Sequence, residues 1–595
     1  MKDDNQFIKS VYNKYLASSI FGILCSVAGQ IANSVIVGNV LGAQALGVLS
    51  LMLPIYYIFA TVGNLLGIGA TALASSLTGQ GEHGRSRRAF TSSYLLTAAL
   101  AVVLTVLVLA FLPQLVRVVG TPQELYQQTY DYCVIMAIGG IFTMGVYLAF
   151  NFLRLDGKAG ASMLVFAVMA VVNVLLDLLL AGVLQMGIIG VSIATAAGAA
   201  AASLMGAVLL FKKSRNFSFV MPEWKEFWRL AGEMVKLGSP GAVENICILF
   251  RSLFLNRLIL TGFGTLALSA FSVIGSLNSF ALAIIAGTAG TIVPFVGVFS
   301  AERDTKSIRQ VLQLALVQGL AMTAVFTVAC MVFSGGIARA FGMGGGDTLE
   351  LAKSAIFLFS ISFIPALVGN ILTSLHLSNG HTAIANVITL LRQFVLVAVF
   401  AVLLSNWFGL NGIWNGFWVA ELVTLLIVAV IHLVCGKKSE TISNWTLLDE
   451  TAERNGHYIS FSVENSVQAI MESVEKITAF CEANELQPKR AMLISLSLEE
   501  MLTSIREHSL GADEKLTMNV RILLVQGTIV LRIRNGGAEF NPVAYYEQRK
   551  VNVVEDNIDA MLALDDSLGI KMICDTADVV DYRRTFGVNN LSIII

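Results

Sequence analysis

The chain has 595 residues, of which 56% are apolar and only 13% are charged. A soluble globular domain carries about 25% charged residues, so the composition excludes a wholly soluble protein. The net charge of −1 also excludes a chain built to bind nucleic acid electrostatically. The seven Cys stand apart without a C-x-x-C pair, and the sequence therefore predicts neither a disulfide framework nor a metal site.

The first 436 residues are almost continuously apolar, and the remainder has an ordinary soluble composition. A membrane-spanning helix needs about 20 apolar residues. By that measure the sequence predicts an all-α polytopic membrane region of about twelve helices, followed by a soluble α/β domain. The predicted spans lie near 14–39, 47–78, 90–112, 131–153, 160–182, 186–211, 236–260, 267–299, 309–334, 351–376, 384–404 and 411–435.

Basic residues concentrate in alternate breaks between these spans. The basic breaks are 81–88, 154–158, 211–215, 302–309 and 437–438. The other breaks lack Lys and Arg, as at 39–42, 185–187 and 405–409. Because short cytoplasmic loops carry the excess of Lys and Arg, this alternation predicts that both termini are cytoplasmic. We expect a multi-pass protein of the cell membrane.

The two halves of the membrane region share loop motifs. Leu153-Arg-Leu-Asp-Gly157 is matched in place by Leu375-His-Leu-Ser-Asn-Gly380. Each half crosses six times, so the second half starts on the same side as the first and the repeat is parallel. We predict an N-terminal bundle at 1–215, an amphipathic linker on the cytoplasmic surface at 216–235, and a C-terminal bundle at 236–436, with a cavity between the bundles.

The fifth span contains Asn173 and Asp177, four residues apart and therefore on one face of a helix. A carboxylate at the centre of a membrane helix costs about 2.5–3.5 kcal/mol on insertion scales, so it rarely lacks a function. The nearest cations in sequence, Arg154 and Lys158, are about five helical turns away. We predict that Asp177 takes up a proton or cation from an internal cavity, and that Thr195 on the next helix shapes the site.

The second half has no carboxylate at the matching depth, near 398–402, but it has charged residues of its own within the spans. These residues are Glu244, Arg251, Arg257, Arg392 and Glu421. One interpretation is that they neutralise each other inside the bundle. The other is a second polar pocket for substrate, formed by Glu244, Arg251, Arg392 and Glu421.

Residues 14–435 resemble the multidrug and toxic compound extrusion (MATE) family of secondary transporters. The resemblance lies in Asn33-Ser-Val-Ile-Val-Gly-Asn-Val-Leu-Gly42, Phe152-Leu-Arg-Leu-Asp-Gly157, Asn173-x-x-x-Asp177, Gly187-x-x-Gly190 and Ile193-Ala-Thr195. It implies antiport of organic, often cationic, compounds against H⁺ or Na⁺ without a required cofactor, and an ion site at Asn173, Asp177 and Thr195. The family often has Asp where this chain has Asn33, whose carbonyl oxygen can bind a cation but cannot carry a proton.

Residues 440–595 are predicted to form the α/β domain. Its expected elements are a strand at 458–463, helices at 464–483 and 488–508, a hairpin of 518–525 and 528–533 turning at Gln526-Gly527, a polar segment at 543–566, a helix at 568–576, and strands at 579–584 and 591–595. This order resembles the nucleotide-binding domain of the GHKL ATPases, and the anti-sigma-factor kinases in particular.

Three motifs support this second resemblance, and they imply nucleotide contacts from Glu500, Ser504, His508, Asn535, Gly537 and Gly569. Each motif departs from the family. Ser504 replaces the Asn that holds Mg²⁺, and Asn535 replaces the Asp that reads adenine. Glu539 and Lys571 replace glycines, and an acid near phosphate would repel it. These departures predict a degenerate domain that senses a ligand or docks a cytoplasmic protein, with binding of ATP and Mg²⁺ as the alternative.

The leading hypothesis is a secondary exporter of small organic compounds, not an enzyme, with Asp177 as its coupling residue and the tail as its regulator. One alternative is a ligand-sensing signalling protein whose tail binds a regulatory partner. A second alternative is a lipid-precursor flippase. A flippase should line its cavity with many cations, and Arg251, Arg257 and Arg392 are the candidates.

Overall fold

The computed structural model describes residues 4–41, 43–118, 121, 123–211, 217–341, 343, 346–436, 446–448, 457–511, 516–525, 528–552, 568–585 and 588–595. Within these residues twelve helical segments are long and apolar enough to cross a membrane, which confirms the predicted number. The basic positions 212–215 and 437–438 and the predicted turn at 526–527 lie outside the described residues. Tyr12–Cys435 forms one compact unit, and Gly436–Ile595 with Met1–Val11 forms another.

The first half of the membrane unit is mostly helical, with short turns between its helices. Its α-helices are α1 (Asp4–Leu41), α2 (Ala43–Gly79), α3 (His83–Val118), α4 (Tyr126–Leu155), α5 (Ala159–Asp177) and α6 (Gly187–Phe211). A π-helical turn, Leu178–Val183, continues α5 immediately after Asp177. Such turns insert an extra residue into a helix and are frequent at functional sites.

The second half repeats this plan. Its helices are α7 (Trp224–Ala301), α8 (Thr305–Val332), α9 (Ser334–Ala340), α10 (Gly346–Ser360), α11 (Phe363–Ser378), α12 (Thr382–Leu390), α13 (Leu396–Phe408) and α14 (Leu410–Gly436). A backbone φ of 81° at Gly264 breaks α7 into two spans. A second π-helical turn, Leu391–Val395, joins α12 to α13. Both halves therefore have a π turn in their fifth span.

The amphipathic stretch that the sequence placed in a linker at 216–235 continues directly into a membrane span. Helix α7 begins at Trp224 and stays helical up to Gly264. Trp224 and Trp228 in its first turns are exposed, which suits the interface between lipid and water. Arg88 Nε contacts Glu226 Oε2 at 2.8 Å, so the basic break 81–88 is bound to the start of α7.

The two halves meet where α2 packs against α7, and glycines bring the two backbones together. A Cβ atom on Gly69 would overlap the carbonyl oxygen of Met234, and one on Gly238 would overlap that of Leu65. At the end of α2, a Cβ atom on Gly79 would overlap the side chain of Ala301. Small residues allow such close approach in membranes, where dispersion contacts drive helix association. The halves are thus joined at the end that holds the breaks 81–88 and 302–309.

The tail contains a five-stranded sheet with the order β1-β2-β3-β5-β4, in which each neighbouring pair is antiparallel. The strands are β1 (His457–Glu464), β2 (Thr517–Val525), β3 (Thr528–Asn535), β4 (Val579–Thr585) and β5 (Val588–Ile594). The helices are α15 (Val467–Ala483), α16 (Pro488–Ile505), α17 (Pro542–Asn552) and α18 (Leu568–Thr576). Helix α17 overlaps the segment 543–566, which the sequence predicted only as polar.

One face of the sheet and the helices share a single hydrophobic core. Alternate strand residues such as Val520, Ile522 and Leu531 are fully buried against Leu498 and Ile573 from the helices. The period of two along each strand places these apolar side chains on one face and polar side chains on the other. Ser466 caps α15 by accepting a hydrogen bond from the Ala469 amide at 3.1 Å.

We expect Gly69→Ala and Gly238→Ala to lower the unfolding free energy by about 1–3 kcal/mol each, because the added methyl group forces α2 away from α7. Thermal unfolding of the purified protein in detergent measures the effect. Gly232→Ala is the matched control on α7, since no atom lies within 4 Å of its Cβ position. Equal midpoints for all three variants would contradict the close packing of the two halves.

Candidate ion and substrate sites

Three polar side chains from three helices of the first half meet in the membrane. Asn33 Nδ2 on α1 donates to Asn173 Oδ1 on α5 and to Thr195 Oγ1 on α6, each at 3.4 Å. Asn173 Nδ2 donates to the same Thr195 oxygen at 3.2 Å. Thr195 in turn donates to the Val191 carbonyl at 3.0 Å. The structure therefore brings together three of the four residues predicted for the ion site.

Asp177, the fourth, lies one turn beyond Asn173 on α5 and is 0% exposed. Neither of its carboxylate oxygens has a hydrogen-bond partner among the described residues. The Tyr132 side chain on α4, which is also buried, lies within electrostatic range of the carboxylate. A buried carboxylate without a partner is costly unless it is protonated or bound to a cation.

A cavity of about 170 Å³ adjoins these residues inside the first half. Asn33, Asn173 and Thr195 line it, together with Tyr56 and Tyr132. Asp177 is not among the lining residues. The amide and hydroxyl groups therefore face open space, whereas the Asp177 carboxylate does not line this cavity.

The charged residues of the second half form a connected network. Arg392 Nε and Nη2 donate to Glu421 Oε2 and Oε1 at 3.0 and 3.1 Å. Gln393 Oε1 accepts from Arg251 Nη1 at 2.8 Å, and Gln393 Nε2 donates to Glu244 Oε1 at 2.9 Å. The network contains two arginines and two glutamates, so their charges balance.

The space inside this network is about 40 Å³. Pockets for organic ligands are usually about 300–1,000 Å³, so the network has no room for such a substrate. Its geometry favours mutual neutralisation over a second substrate pocket. Arg257 does not join it and is exposed on the same helix.

A larger cavity, of about 220 Å³, lies between the two halves. Polar side chains from both halves line it, namely Asn64, Thr71, Tyr147, Asn151, Arg154, Glu244, Asn370, Thr373 and Ser374. Arg154 is the unexpected member. The sequence placed it in a cytoplasmic break at 154–158, but it belongs to the last turn of α4 and is 4% exposed. Lys158 of that break is partly exposed, and it pairs with Asp156.

Sequence reasoning missed Tyr132, Gln393 and Arg154 as site residues. Gln393 was detectable, because an amide beside Arg392 in an apolar run needs partners. Arg154 was read only as a topogenic charge because it is next to Leu155-Asp-Gly157, which ends the helix. Tyr132 gave no signal, since tyrosines are ordinary near the ends of membrane helices.

In the tail, residues from separate predicted motifs come together. The Glu500 side chain packs so closely on Gly569 that a Cβ atom there would overlap the carboxylate. Burial and the neighbouring Glu499 raise the pKa of Glu500 above its usual value. Ser504 is buried, and the exposed His508 ring lies 4.9 Å from the Phe540 ring, centroid to centroid.

Asn535 is occupied by contacts within the protein. Its Oδ1 accepts hydrogen bonds from Ser509 Oγ at 2.9 Å, the Gly537 amide at 3.1 Å and Asn589 Nδ2 at 2.9 Å. A Cβ atom on Gly537 would lie 2.5 Å from the Ser509 carbonyl oxygen. The Asn535 side chain, which was expected to bind the nucleotide base, therefore stabilises the turn after β3 through these hydrogen bonds.

We expect Asp177→Asn to leave the unfolding free energy unchanged or to raise it by about 1 kcal/mol, because it removes a buried charge that has no partner. Asp304→Asn is the matched control. Asp304 is equally buried, but it accepts from the Ser307 amide at 3.1 Å and from Ser307 Oγ at 2.8 Å. Its substitution should cost about 1–2 kcal/mol. Thermal unfolding in detergent compares the stability of the two variants. A large decrease in unfolding free energy for Asp177→Asn would contradict the description of Asp177 as a buried carboxylate without a partner.

We expect Arg392→Met alone to lower the unfolding free energy by about 3–5 kcal/mol, because Glu421 is left buried without its partner. The double variant Arg392→Met with Glu421→Leu should recover most of this loss. If Arg392→Met instead abolished substrate binding at unchanged stability, the neutralisation interpretation would be wrong and the pocket interpretation would replace it.

The membrane unit is similar in sequence to a known protein family and to named relatives. The MatE family model matches residues 18–179 and 240–403, which together make up more than half of the chain. Multidrug export protein MepA of Staphylococcus aureus (strain MSSA476) is 25% identical over 425 residues, covering 70% of this chain and 91% of the relative. The protein of the same name from Staphylococcus haemolyticus (strain JCSC1435) is 23% identical over 440 residues, covering 72% and 96%.

Solved structures share the fold. One, described as the outward-facing conformation of a multidrug resistance MATE family transporter of the MOP superfamily, has a TM-score of 0.68 at 18% identity and covers 73% of this chain and 97% of its own. A MOP superfamily transporter from Pyrococcus furiosus Vc1 has a TM-score of 0.67 at 18% identity, with the same two coverages. With its twelve spans, its repeated halves and the match to the family model, this chain belongs to the MatE family of membrane transporters.

Proposed function

We propose that this chain is a secondary exporter of amphipathic organic compounds, coupled to an ion gradient through Asp177. The observation that carries the proposal is the wholly buried Asp177 carboxylate, without a hydrogen-bond partner among the described residues, beside the Asn33, Asn173 and Thr195 cluster. Such a carboxylate is stable only when a proton or cation neutralises it. The names of its relatives, multidrug export proteins, support export of small organic compounds.

The arrangement favours H⁺ over Na⁺ as the coupling ion. A sodium site would need the Asp177 oxygens to converge with the oxygens of Asn33, Asn173 and Thr195, but Asp177 does not line their cavity. A proton needs only one carboxylate oxygen. The nearby Tyr132 side chain is suited to donate to the charged form when the proton leaves.

Coupling requires that the two halves rock about a substrate site between them. The halves are joined by α2 and α7 at the end with the breaks 81–88 and 302–309. If these basic breaks are cytoplasmic, as the charge pattern predicts, the joined end faces the cytoplasm and the substrate site opens outward. Protonation of Asp177 would remove the cost of its buried charge and favour one arrangement of the helices over the other.

A lipid flippase is less well supported. Among the residues that line the cavity between the halves, Arg154 is the one cation. Arg251 and Arg392 are neutralised in the network of the second half, and Arg257 is exposed. The polyanionic head of a lipid-linked precursor would need several free cations, and the described cavity does not supply them.

We propose that the tail is a degenerate GHKL-like domain that regulates the transporter through a cytoplasmic partner and does not depend on ATP. Asn535 Oδ1 already accepts three hydrogen bonds, and the Gly537 backbone packs against Ser509. A base that needed this amide would have to break contacts that hold the turn together. Glu539 would also repel a phosphate group placed near it.

We expect flux of a fluorescent organic cation in proteoliposomes to follow an imposed pH gradient, and Asp177→Asn to abolish that flux because the variant cannot exchange a proton. Asp304→Asn is the control for a general loss of charge in the membrane unit, and it should retain flux. A flux driven by a Na⁺ gradient alone would contradict H⁺ coupling. The absence of flux with every gradient would favour the ligand-sensing alternative.

We expect the full-length protein in nanodiscs to show no saturable micromolar binding of radiolabelled ATP with Mg²⁺, because Asn535 is not free to bind adenine. A chain that ends before residue 440 measures background binding to the membrane unit. Micromolar binding that disappears in the shortened chain would overturn the degenerate assignment and make ATP a regulator of transport.

A further inference from the structure

A groove of about 520 Å³ lies between α15 and α16 at the surface of the tail. Its apolar lining includes Leu486 in the turn between the helices, and Met492 and Leu496 on α16. The hydroxyl oxygens of Thr478 and Ser495 lie 3.2 Å apart and connect the two helices inside the groove. Binding sites usually have volumes of about 300–1,000 Å³, so the groove has room for side chains of a partner.

The apolar surface continues beyond the groove along α15. Four residues recur at helical spacing and therefore share the face of α15 that borders the groove, namely Val467, Met471, Val474 and Thr478. Val467 is 56% exposed and Met471 62%, and Met492 on the facing helix is 71% exposed. Single exposed apolar residues are ordinary on a protein surface, but a contiguous stripe of them marks an interaction site.

The length of this stripe suits a helical partner. From Val467 to Glu482 the groove face of α15 extends over about four helical turns, or about 22 Å. An amphipathic helix laid along such a groove inserts apolar side chains from successive turns, whereas a compact small molecule would cover only part of the stripe. Exposed methionines favour this kind of contact, because their flexible thioether side chains adapt to the shape of the partner.

The charged residues that line the groove are both acids. Glu482 lies near the turn between the helices, and Glu499 lies about three helical turns along α16, towards the other end. The cations of the two helices are not among the lining residues, namely Lys476, Lys489 and Arg490. The groove therefore favours a partner that carries Lys or Arg beside its apolar residues.

The same two acids disfavour other occupants. A second copy of the chain, packed about a two-fold axis at the groove, would bring its own Glu482 and Glu499 towards these carboxylates, because such an interface is self-complementary. An anionic membrane surface would repel them as well. A basic helix has neither cost.

We propose that the groove between α15 and α16 docks a basic amphipathic helix of a cytoplasmic protein. The apolar side of this helix packs on Met471 and Met492, and its Lys or Arg side chains pair with Glu482 and Glu499. The proposal names the surface and the partner chemistry for the regulatory function proposed above, and it rests on that function for its meaning. The docking itself is tested without transport.

The test is fluorescence anisotropy with the full-length protein in phosphatidylcholine nanodiscs. The probe is a labelled helical peptide of about 18 residues, in which leucines recur every three or four positions and lysines occupy the other positions. A second peptide carries Glu in place of every Lys. A chain that ends before residue 440 measures binding to the disc and to the membrane unit. Above that background, wild type should bind the basic peptide at least about 10-fold more tightly than the acidic peptide.

Variants of exposed residues locate the binding surface. Glu482→Lys with Glu499→Lys should weaken binding of the basic peptide about 10-fold, since two attractive contacts become repulsive. Glu507→Lys with Glu547→Lys is the matched control, because it changes the net charge equally at two exposed glutamates outside the groove, and it should bind like wild type. Met492→Asp should also weaken binding about 10-fold, because it removes an apolar anchor. Since all five side chains are exposed, thermal unfolding midpoints should stay close to that of wild type.

The proposal is overturned if the acidic peptide binds as tightly as the basic one, or if Met492→Asp and the groove charge reversal both bind the basic peptide like wild type. It is also overturned if sedimentation in detergent shows a dimer that Met492→Asp dissociates, because a second copy would then cover the groove. Peptide binding by a protein that shows no flux in proteoliposomes would remove the export function and leave this inference standing. Flux without peptide binding would do the reverse.

Discussion

The membrane unit depends on one constraint: a charge buried in a bilayer must be neutralised inside the protein. The second half meets this constraint with a closed network, in which Arg392 faces Glu421 and Gln393 links Arg251 to Glu244. The first half contains Asp177 without a partner among the described residues, and the cavity between the halves contains Arg154 without an acid. The unsatisfied charges mark the positions where ions or ligands can act.

The two halves share the same helical arrangement but differ in their buried polar residues. Each has a π-helical turn in its fifth span, after Asp177 in one and around Arg392 in the other. His376 occupies the place of Arg154, and its Nε2 lies 2.8 Å from His432 Nε2 in a buried pair. The second half thus pairs its buried Arg392 with Glu421, whereas in the described residues of the first half the Asp177 carboxylate has no hydrogen-bond partner.

The contact between the two halves must be stable and, in the proposed transport cycle, must also allow them to move. Close backbone approach at Gly69 and Gly238 gives α2 and α7 a large dispersion contact without long interlocking side chains. Such a surface can separate without breaking hydrogen bonds. The described part of the tail is stabilised differently, by one apolar core between its sheet and its helices. Asn535, Ser509 and Asn589 are hydrogen-bonded to one another at the turn after β3.

Apolar length by itself determined the twelve spans, because a helix that crosses lipid must satisfy its backbone internally and cover a fixed thickness. A spacing of four residues put Asn173 and Asp177 on one face, and strand periodicity indicated the sheet of the tail. Only the tertiary structure decided which polar groups meet. Asn33 is hydrogen-bonded to Thr195 across the bundle, and Gln393 links Arg251 to Glu244. Arg154, which the sequence placed in a loop, lines the cavity between the halves. These contacts depend on helix rotation and packing between residues far apart in the chain, which no local pattern encodes.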